Sequence, residues 1–228
     1  AYMKTGEEYR QSLRERNIKV YVMGELVEGA AVIDHPLIKG HVNSAAMTYE
    51  LAEDPQYEDL MTATSHLTGK KINRFTHIHQ SKEDLIKKVK MLRMISQKTG
   101  TCYQRCVGFD ACNATYSTTY ELDQAMGTHY HENFKKFMLY CQENDLTVDG
   151  AMTDVKGDRS LKPSQQPDPD MFVHVVEKRD DGIVVRGCKM HMTGMVNSHY
   201  MLIMPTSAFG AEDADYCVSC AIPVDAPG

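Results

Sequence analysis

The sequence has no apolar run approaching the ~18–20 residues that a membrane span requires, which excludes a helical membrane protein. It has no basic excess either: 25 lysines and arginines against 31 aspartates and glutamates leave a formal charge of −6. That balance argues against a nucleic-acid binder, whose electrostatic footprint is a positive surplus. The opening residues, AYMKTGEEYRQSLRERN, lack the apolar core of a secretory signal, so a cytoplasmic location is expected. Tryptophan is absent, and no internal repeat or low-complexity stretch is present. Nor is there a G-x-S-x-G nucleophile elbow, an H-E-x-x-H metal helix, a P-loop or a G-x-G-x-x-G turn. With 42% apolar and 25% charged residues over 228 positions, what remains is a folded, soluble chain. Its length suits one large domain or two modest ones.

Two residue types are plentiful instead. Fifteen methionines offer flexible, polarisable side chains that suit an adaptable pocket or ordinary core packing. The seven cysteines are odd in number and unevenly spaced, which speaks against the disulfide framework of a small secreted domain. Buried thiols and metal ligands are the alternatives.

The order of patterns along the chain predicts an α+β arrangement. Thr5 and Glu8 form a capping box ahead of a first helix. Residues 18–27 read as a short hairpin turning at Gly24-Glu25. Asp34 and Pro36 predict the start of a helix reaching Glu53. Ser81 opens another helix, with Leu85, Val89 and Leu92 as its core face and Lys82, Lys87, Lys88 and Lys90 as its solvated one. Helical character is expected from Cys102 to Met126, closed by Gly127, and again from a Thr128 cap to about Asn144. Beyond a loop rich in proline and turn formers, MFVHVVEK and GIVVRGCK flank an Asp-Gly turn as a hairpin. YMLIMPTSA and DYCVSCAIPV supply further strands. The expected division is a helical domain over residues 1–148 and a β-rich domain over 149–228. So few strands leave pairing edges exposed, so another chain or a longer continuation is expected to complete the sheet.

Three groups of residues could carry chemistry. In TCYQRC, Cys102 and Cys106 are four apart; on a helix their thiols would share one face and could serve two corners of a metal cluster. Two cysteines packed in a core are the commoner arrangement, and two ligands do not complete a four-ligand site. The loop Met152-Thr153-Asp154-Val155-Lys156-Gly157-Asp158-Arg159 combines a glycine, carboxylates and cations in a way that can grip a phosphorylated cofactor, or simply connect two elements. His191-Met192-Thr193-Gly194 is a second cofactor contact or a plain turn. Cys217-x-x-Cys220 lies in an apparent strand without a second pair, which favours packing, and Cys112, Cys141 and Cys188 read as isolated buried thiols. His77-x-His79 and His129-x-His131 lack an obvious third ligand.

Five segments, MTYELAEDPQYEDLMT, TCYQRCVGFDACNA, STTYELDQAMGTHYHENF, VDGAMTDVKGDRS and IVVRGCKMHMTGMVNSH, resemble the flavin-dependent 4-hydroxyphenylacetate 3-monooxygenase family in order and spacing. The resemblance runs along nearly the whole chain. It implies an acyl-CoA-dehydrogenase-like fold, a helical N-terminal domain followed by a β-barrel-like middle domain that is incomplete here. The C-x-x-x-C pair marks a branch with FAD and a 4Fe–4S cluster, a homotetramer that dehydrates 4-hydroxybutyryl-CoA to crotonyl-CoA and isomerises vinylacetyl-CoA. The monooxygenase branch has no cluster. By this resemblance Cys102 and Cys106 are two cluster ligands, and Met152, Thr153, Asp154, Lys156, Gly157, Asp158 and Arg159 lie in the main flavin loop. His191, Met192 and Thr193 form a second flavin contact. Arg93, Gln104 and Thr193 line the active site, where an acyl-CoA would bind. The remaining cluster ligands and a catalytic glutamate are expected beyond the region covered, in a C-terminal remainder or a second chain. A cluster-free flavin monooxygenase and a non-catalytic assembly subunit are the alternatives.

Overall fold

The computed structural model describes residues 2–227. Helix α1 (Gly6–Arg14) starts where the capping box places it: Thr5 Oγ1 accepts from the Glu8 amide, and the Glu8 carboxylate accepts from the Thr5 amide at 2.7 Å. Its buried Tyr9 and Leu13 pack against α2 (Ala30–Asp34) and α3 (Lys39–Glu53), where Tyr9 stacks on Tyr49 with ring centroids 4.4 Å apart. Between α1 and α2, β1 (Lys19–Val22) and β2 (Glu25–Glu28) form the expected hairpin. Met23 and Gly24, both at positive φ, make its turn. Pro36 does not open a helix. It lies in the break between α2 and α3, because the residue before a proline is driven out of the helical region and His35 is extended. Asp34 ends α2 and pairs with Arg14 at 2.9 Å instead of capping α3.

A short α4 (Glu58–Met61) leads through the ribbon β3 (Thr62–Thr64) and β4 (Lys71–Asn73) to α5 (Lys82–Thr99). Ser81 caps α5 through the Asp84 amide, and Gly100 ends it in the left-handed region. Its buried face is not the expected one: Leu85 and Val89 are 50% and 56% exposed, while Met91 and Ile95 are fully buried. The C-terminal half of the helix packs on Met61, Phe75 and Tyr103, while its first half turns Asp84, Lys87 and Lys88 towards the protein, which leaves the Leu85/Val89 stripe towards solvent. The lysine-bearing face is solvated only in part: Lys82 and Lys90 are exposed, whereas Lys87 and Lys88 are half-buried and paired to Asp59 and Asp110.

Helices α6 (Cys106–Met126) and α7 (Tyr130–Glu143) form an antiparallel pair. Gly127 takes the left-handed conformation that closes α6. The cap of α7 comes from a different residue than expected: Asp123, in the last turn of α6, accepts from the Tyr130 and His131 amides and from the Thr128 hydroxyl. Three strands then form one sheet in the order β5 (Val148–Ala151), β8 (Tyr200–Ile203), β9 (Cys220–Pro223), with β8 parallel to β5 and antiparallel to β9. The hairpin β6 (His174–Arg179) and β7 (Gly182–Arg186) stands apart from it, turning at Asp180-Asp181. Side chains alternate across the sheet as the strand period demands. Val148 and Leu202 join Ala111, Cys112, Phe134 and Met138 on the helical side. Ala151, Met201 and Ile203 join Val173, Val185 and Val218 on the other.

Helices first and a sheet afterwards agree with the α+β reading. A β-barrel-like middle does not: among the described residues the strands form a three-stranded sheet and separate two-stranded ribbons, none closed. No helix here is long and apolar enough to cross a membrane.

Candidate functional site

The two cysteines of TCYQRC do not share a helix. Arg105 is the N-cap of α6, so Cys106 is its first residue and Cys102 lies in the loop before it. Helix cannot extend back to Cys102 because Gln104 adopts φ +54°. Cys102 nevertheless stays near Cys106: burial pushes the Cys106 thiol up, and the neighbouring Cys102 adds to that. The amides of Cys106 and Val107 act in the opposite direction, as free N–H groups at a helix start favour a thiolate. Cys102 is exposed and Cys106 half-buried.

The loop is anchored from beneath by Arg105, whose guanidinium is wholly buried. It donates to Thr48 Oγ1 at 3.0 Å and to Asp145 Oδ1 and the Leu146 carbonyl at 3.4 Å, and lies over the Tyr49 ring, 4.2 Å from its centroid. Alternation around one arginine therefore sends Arg105 inward and its neighbours Gln104 and Cys106 towards the surface.

Strand β5 joins this loop to the two segments proposed for flavin. Gly108, in the first turn of α6, packs so closely on β5 that a Cβ would strike the Val148 carbonyl, and Val107 lies against Gly150. On the opposite side of the strand, the buried Asp149 carboxylate accepts from the amide of Gly150 at 2.9 Å and lies close to the amide of Gly194. A Cβ on Gly194 would collide with that carboxylate and come within 3.1 Å of the Gln104 carbonyl. Burial raises the Asp149 pKa to about 6, the two amides pulling it down. Asp149 thus stands between Gln104 and the Thr193-Gly194 turn, although it was not among the residues singled out from sequence. The available signal was an acidic residue in a strand of otherwise apolar or small residues, VDGA.

Past β5, Met152 is exposed and Thr153 half-buried, and Asp154 turns inward, with both carboxylate oxygens engaged by Lys189 and Thr206. Its carboxylate faces the protein interior rather than a surface ligand. Lys156 and Gly157 have positive φ, and Gln166 holds the turn by donating to the Asp158 carbonyl at 2.8 Å and accepting from the Asp158 amide at 3.1 Å. Asp158 and Arg159 point to solvent. The second segment runs beside the first: Asp154 and Lys189 form an antiparallel bridge and the Met190 amide donates to the Thr153 carbonyl at 2.8 Å. His191, at φ +60°, and Thr193 are exposed at its end, with Met192 half-buried. Two cations, hydroxyl and imidazole donors and an exposed Met152 suit a phosphorylated, partly apolar cofactor such as FAD.

Arg93 stands apart. It is exposed on α5 and makes no hydrogen bond or ion pair among the described residues. The other motifs lead elsewhere. His77 Nε2 donates to the Asp84 carboxylate at 3.2 Å, and burial of Asp84 is outweighed by the Gln80 amide, His77 and Arg74, which hold it down at about 2. No third ligand joins His77 and His79. Cys217 and Cys188 are exposed, so Cys188 is not the buried thiol expected; Cys112 and Cys141 are buried. Among the described residues no three His, Cys, Asp or Glu side chains gather as a metal site. Cys102 and Cys106 fit two corners of a thiolate-bound cluster by the chemistry of their donors, and supply no more than half of a four-ligand set.

Residues 5–228 match the family described as 4-hydroxyphenylacetate 3-hydroxylase, N-terminal. The chain belongs to that family. It is 60% identical over 226 residues to a 4-hydroxybutyryl-CoA dehydratase/vinylacetyl-CoA-Δ-isomerase of Clostridium aminobutyricum, spanning 99% of this chain and 46% of that protein. Against the oxygenase component of a 4-hydroxyphenylacetate 3-monooxygenase of Thermus thermophilus the identity is 29% over 99% of this chain and 45% of the relative. The fold superimposes on an oxygen-tolerant archaeal 4-hydroxybutyryl-CoA dehydratase from N. maritimus with a TM-score of 0.95 and 47% identity, over 100% of this chain and 45% of that one. An oxygenase component of 4-hydroxyphenylacetate 3-monooxygenase complexed with FAD and 4-hydroxyphenylacetate gives 0.78 and 26%, over 99% of this chain and 46% of that one. The chain thus spans under half the length of these relatives.

Proposed function

We propose that this chain is the N-terminal half of the catalytic unit of a 4-hydroxybutyryl-CoA dehydratase that also isomerises vinylacetyl-CoA. The observation that carries the reading is the proximity of Cys102 to Cys106 at the start of α6, a helix packed directly on β5, the strand that leads into the first of the two segments read as flavin-binding. The 60% identity to a dehydratase supports it, against 29% or less for the monooxygenases. We infer an acyl-CoA-dehydrogenase-like arrangement, with helical and β-rich parts meeting near residue 148, completed by a C-terminal part and assembled as a homotetramer.

FAD would supply one-electron chemistry, and a 4Fe–4S cluster a Lewis acid for the substrate hydroxyl, which together make the unacidified C3 hydrogen of the acyl-CoA removable. This chain's residues hold and orient. Cys102 and Cys106 give two thiolates, with the amides of Cys106 and Val107 favouring the charged form. Lys156 and Arg159 suit the flavin phosphates, with His191, Met192 and Thr193 against the ring system and the backbone of Met152 to Asp158 framing it. Gln104 and Thr193, brought to the same spot by Gly194, offer hydrogen bonds to the acyl group, and Arg93 offers a charge to the CoA ester. The second glycine-tight junction, Gly108 on β5, keeps thiols and flavin segments at a fixed separation.

Turnover of 4-hydroxybutyryl-CoA by the anaerobically purified protein with its C-terminal part present tests the reading. Crotonyl-CoA formation is expected, and a tenfold or greater loss in Gln104→Ala. Hydroxylation of 4-hydroxyphenylacetate with reduced flavin and oxygen, without dehydration, would replace this reading by the monooxygenase one.

A further inference from the structure

We propose that Lys189 is a positioning residue that locks the two flavin segments into one rigid ledge, with Asp154 and Thr206 as its partners; the inference rests on the flavin reading above. Lys189 adjoins the second segment and was not singled out as a site residue. Its side chain is 7% exposed and that of Asp154 2%, so both charges are withdrawn from water. Three acceptors surround the ammonium, which has three protons to give: Asp154 Oδ1 at 2.5 Å and the carbonyls of Met152 and Met204, each at 2.9 Å. The other Asp154 oxygen accepts from Thr206 Oγ1 at 2.7 Å. Every polar atom in the cluster has a partner, the condition under which a buried pair is tolerated.

What the cluster joins gives it a role. Met152 begins the first segment, and Met204 and Thr206 leave β8, whose Met204 amide also donates to the Ala151 carbonyl at 3.1 Å. The Asp154–Lys189 bridge and the Met190 amide tie the segments along the backbone. One ammonium therefore fixes the point where Met152 is presented and the point from which His191 and Thr193 depart. A guanidinium is a poor substitute, since its planar fork cannot reach three acceptors disposed around a single nitrogen. Apolar side chains of similar volume can match the stability of a buried ion pair but cannot orient two carbonyls. Fold stability and flavin affinity should accordingly separate.

The test titrates FAD into the purified enzyme after flavin removal, following fluorescence quenching and the flavin absorption band, alongside urea unfolding. The Lys189→Met/Asp154→Leu double variant is expected to keep the parent's unfolding midpoint yet bind FAD at least tenfold more weakly, with a shifted band. Thr206→Val, a milder change that leaves the ion pair in place, is expected to weaken FAD about threefold. Parent-like affinity and band in both variants, with the parent binding FAD, overturn the role of Lys189 and leave the flavin reading intact. A parent that binds no FAD overturns the flavin reading, and this inference with it. Labelling with an amine-reactive ester gives an independent readout: Lys189 should stay unmodified while the 75%-exposed Lys178 reacts, and should become reactive in Asp154→Asn. Equal reactivity of Lys189 and Lys178 in the parent would contradict the clasp.

Discussion

At the scale of single residues, the site is organised by buried charges that the sequence pattern did not single out. Asp149 has its pKa raised by burial to about 6, against ~3.9 in an unfolded chain. Between about pH 4 and 6 the folded state therefore keeps a proton that the unfolded state has lost, so Asp149 makes stability fall as pH rises through that window and stay level above it. The full effect is at most about 3 kcal/mol. In Asp149→Asn this contribution vanishes, and urea midpoints measured across pH 4–7 should lose that downward component. An unchanged profile would show that the carboxylate is not perturbed. Arg105 supports the cysteine loop in a different way. Arg105→Met leaves Asp145 buried without its cation, which should cost about 3–5 kcal/mol in denaturant unfolding and increase the reactivity of the Cys106 thiol toward a disulfide reagent. A loss below ~1 kcal/mol would mean that the guanidinium is not anchoring the loop.

At the scale of elements, close backbone approach sets the geometry between the thiols and the flavin segments. Gly108→Ala places a methyl group into the Val148 carbonyl, and the first turn of α6 must move off β5. A destabilisation of about 1–3 kcal/mol is expected, together with weaker FAD binding; urea unfolding and FAD titration read the two effects. Elements whose signals are local were legible in sequence: the Thr5–Glu8 box, the Ser81 cap and the Gly127 terminus are where their patterns place them, and both hairpins form, each turning one residue earlier than the expected Gly24-Glu25 and Asp181-Gly182 pairs. Elements decided by tertiary surroundings were not. The start of α6 depends on the strained Gln104 and buried Arg105, the cap of α7 comes from Asp123 seven residues upstream, and the apolar stripe Leu85/Val89 faces solvent because the first half of α5 turns its charged side, Asp84, Lys87 and Lys88, towards the protein. Site residues followed the same division. Spacing drew attention to Cys102 and Cys106 and the resemblance to the Met152–Arg159 loop, whereas Asp149, Arg105 and Lys189 are fixed by partners distant in sequence.

At the scale of the whole molecule, the donors are complete where the chain is self-contained and incomplete at the cysteines. The Lys189 cluster satisfies every partner, and the flavin segments form a continuous ledge beside β5. On the cluster reading proposed above the two thiols would supply half of a four-ligand set, and the relatives are about twice as long. Iron, sulfide and flavin content of the protein purified anaerobically with its C-terminal part present, together with its visible spectrum, tests this account most directly. Thiolate ligation by Cys102 and Cys106 predicts a brown protein holding iron, sulfide and FAD, and a Cys106→Ser variant that loses iron while retaining the yellow flavin band. A wild-type protein that is purely yellow and free of iron would contradict the central claim.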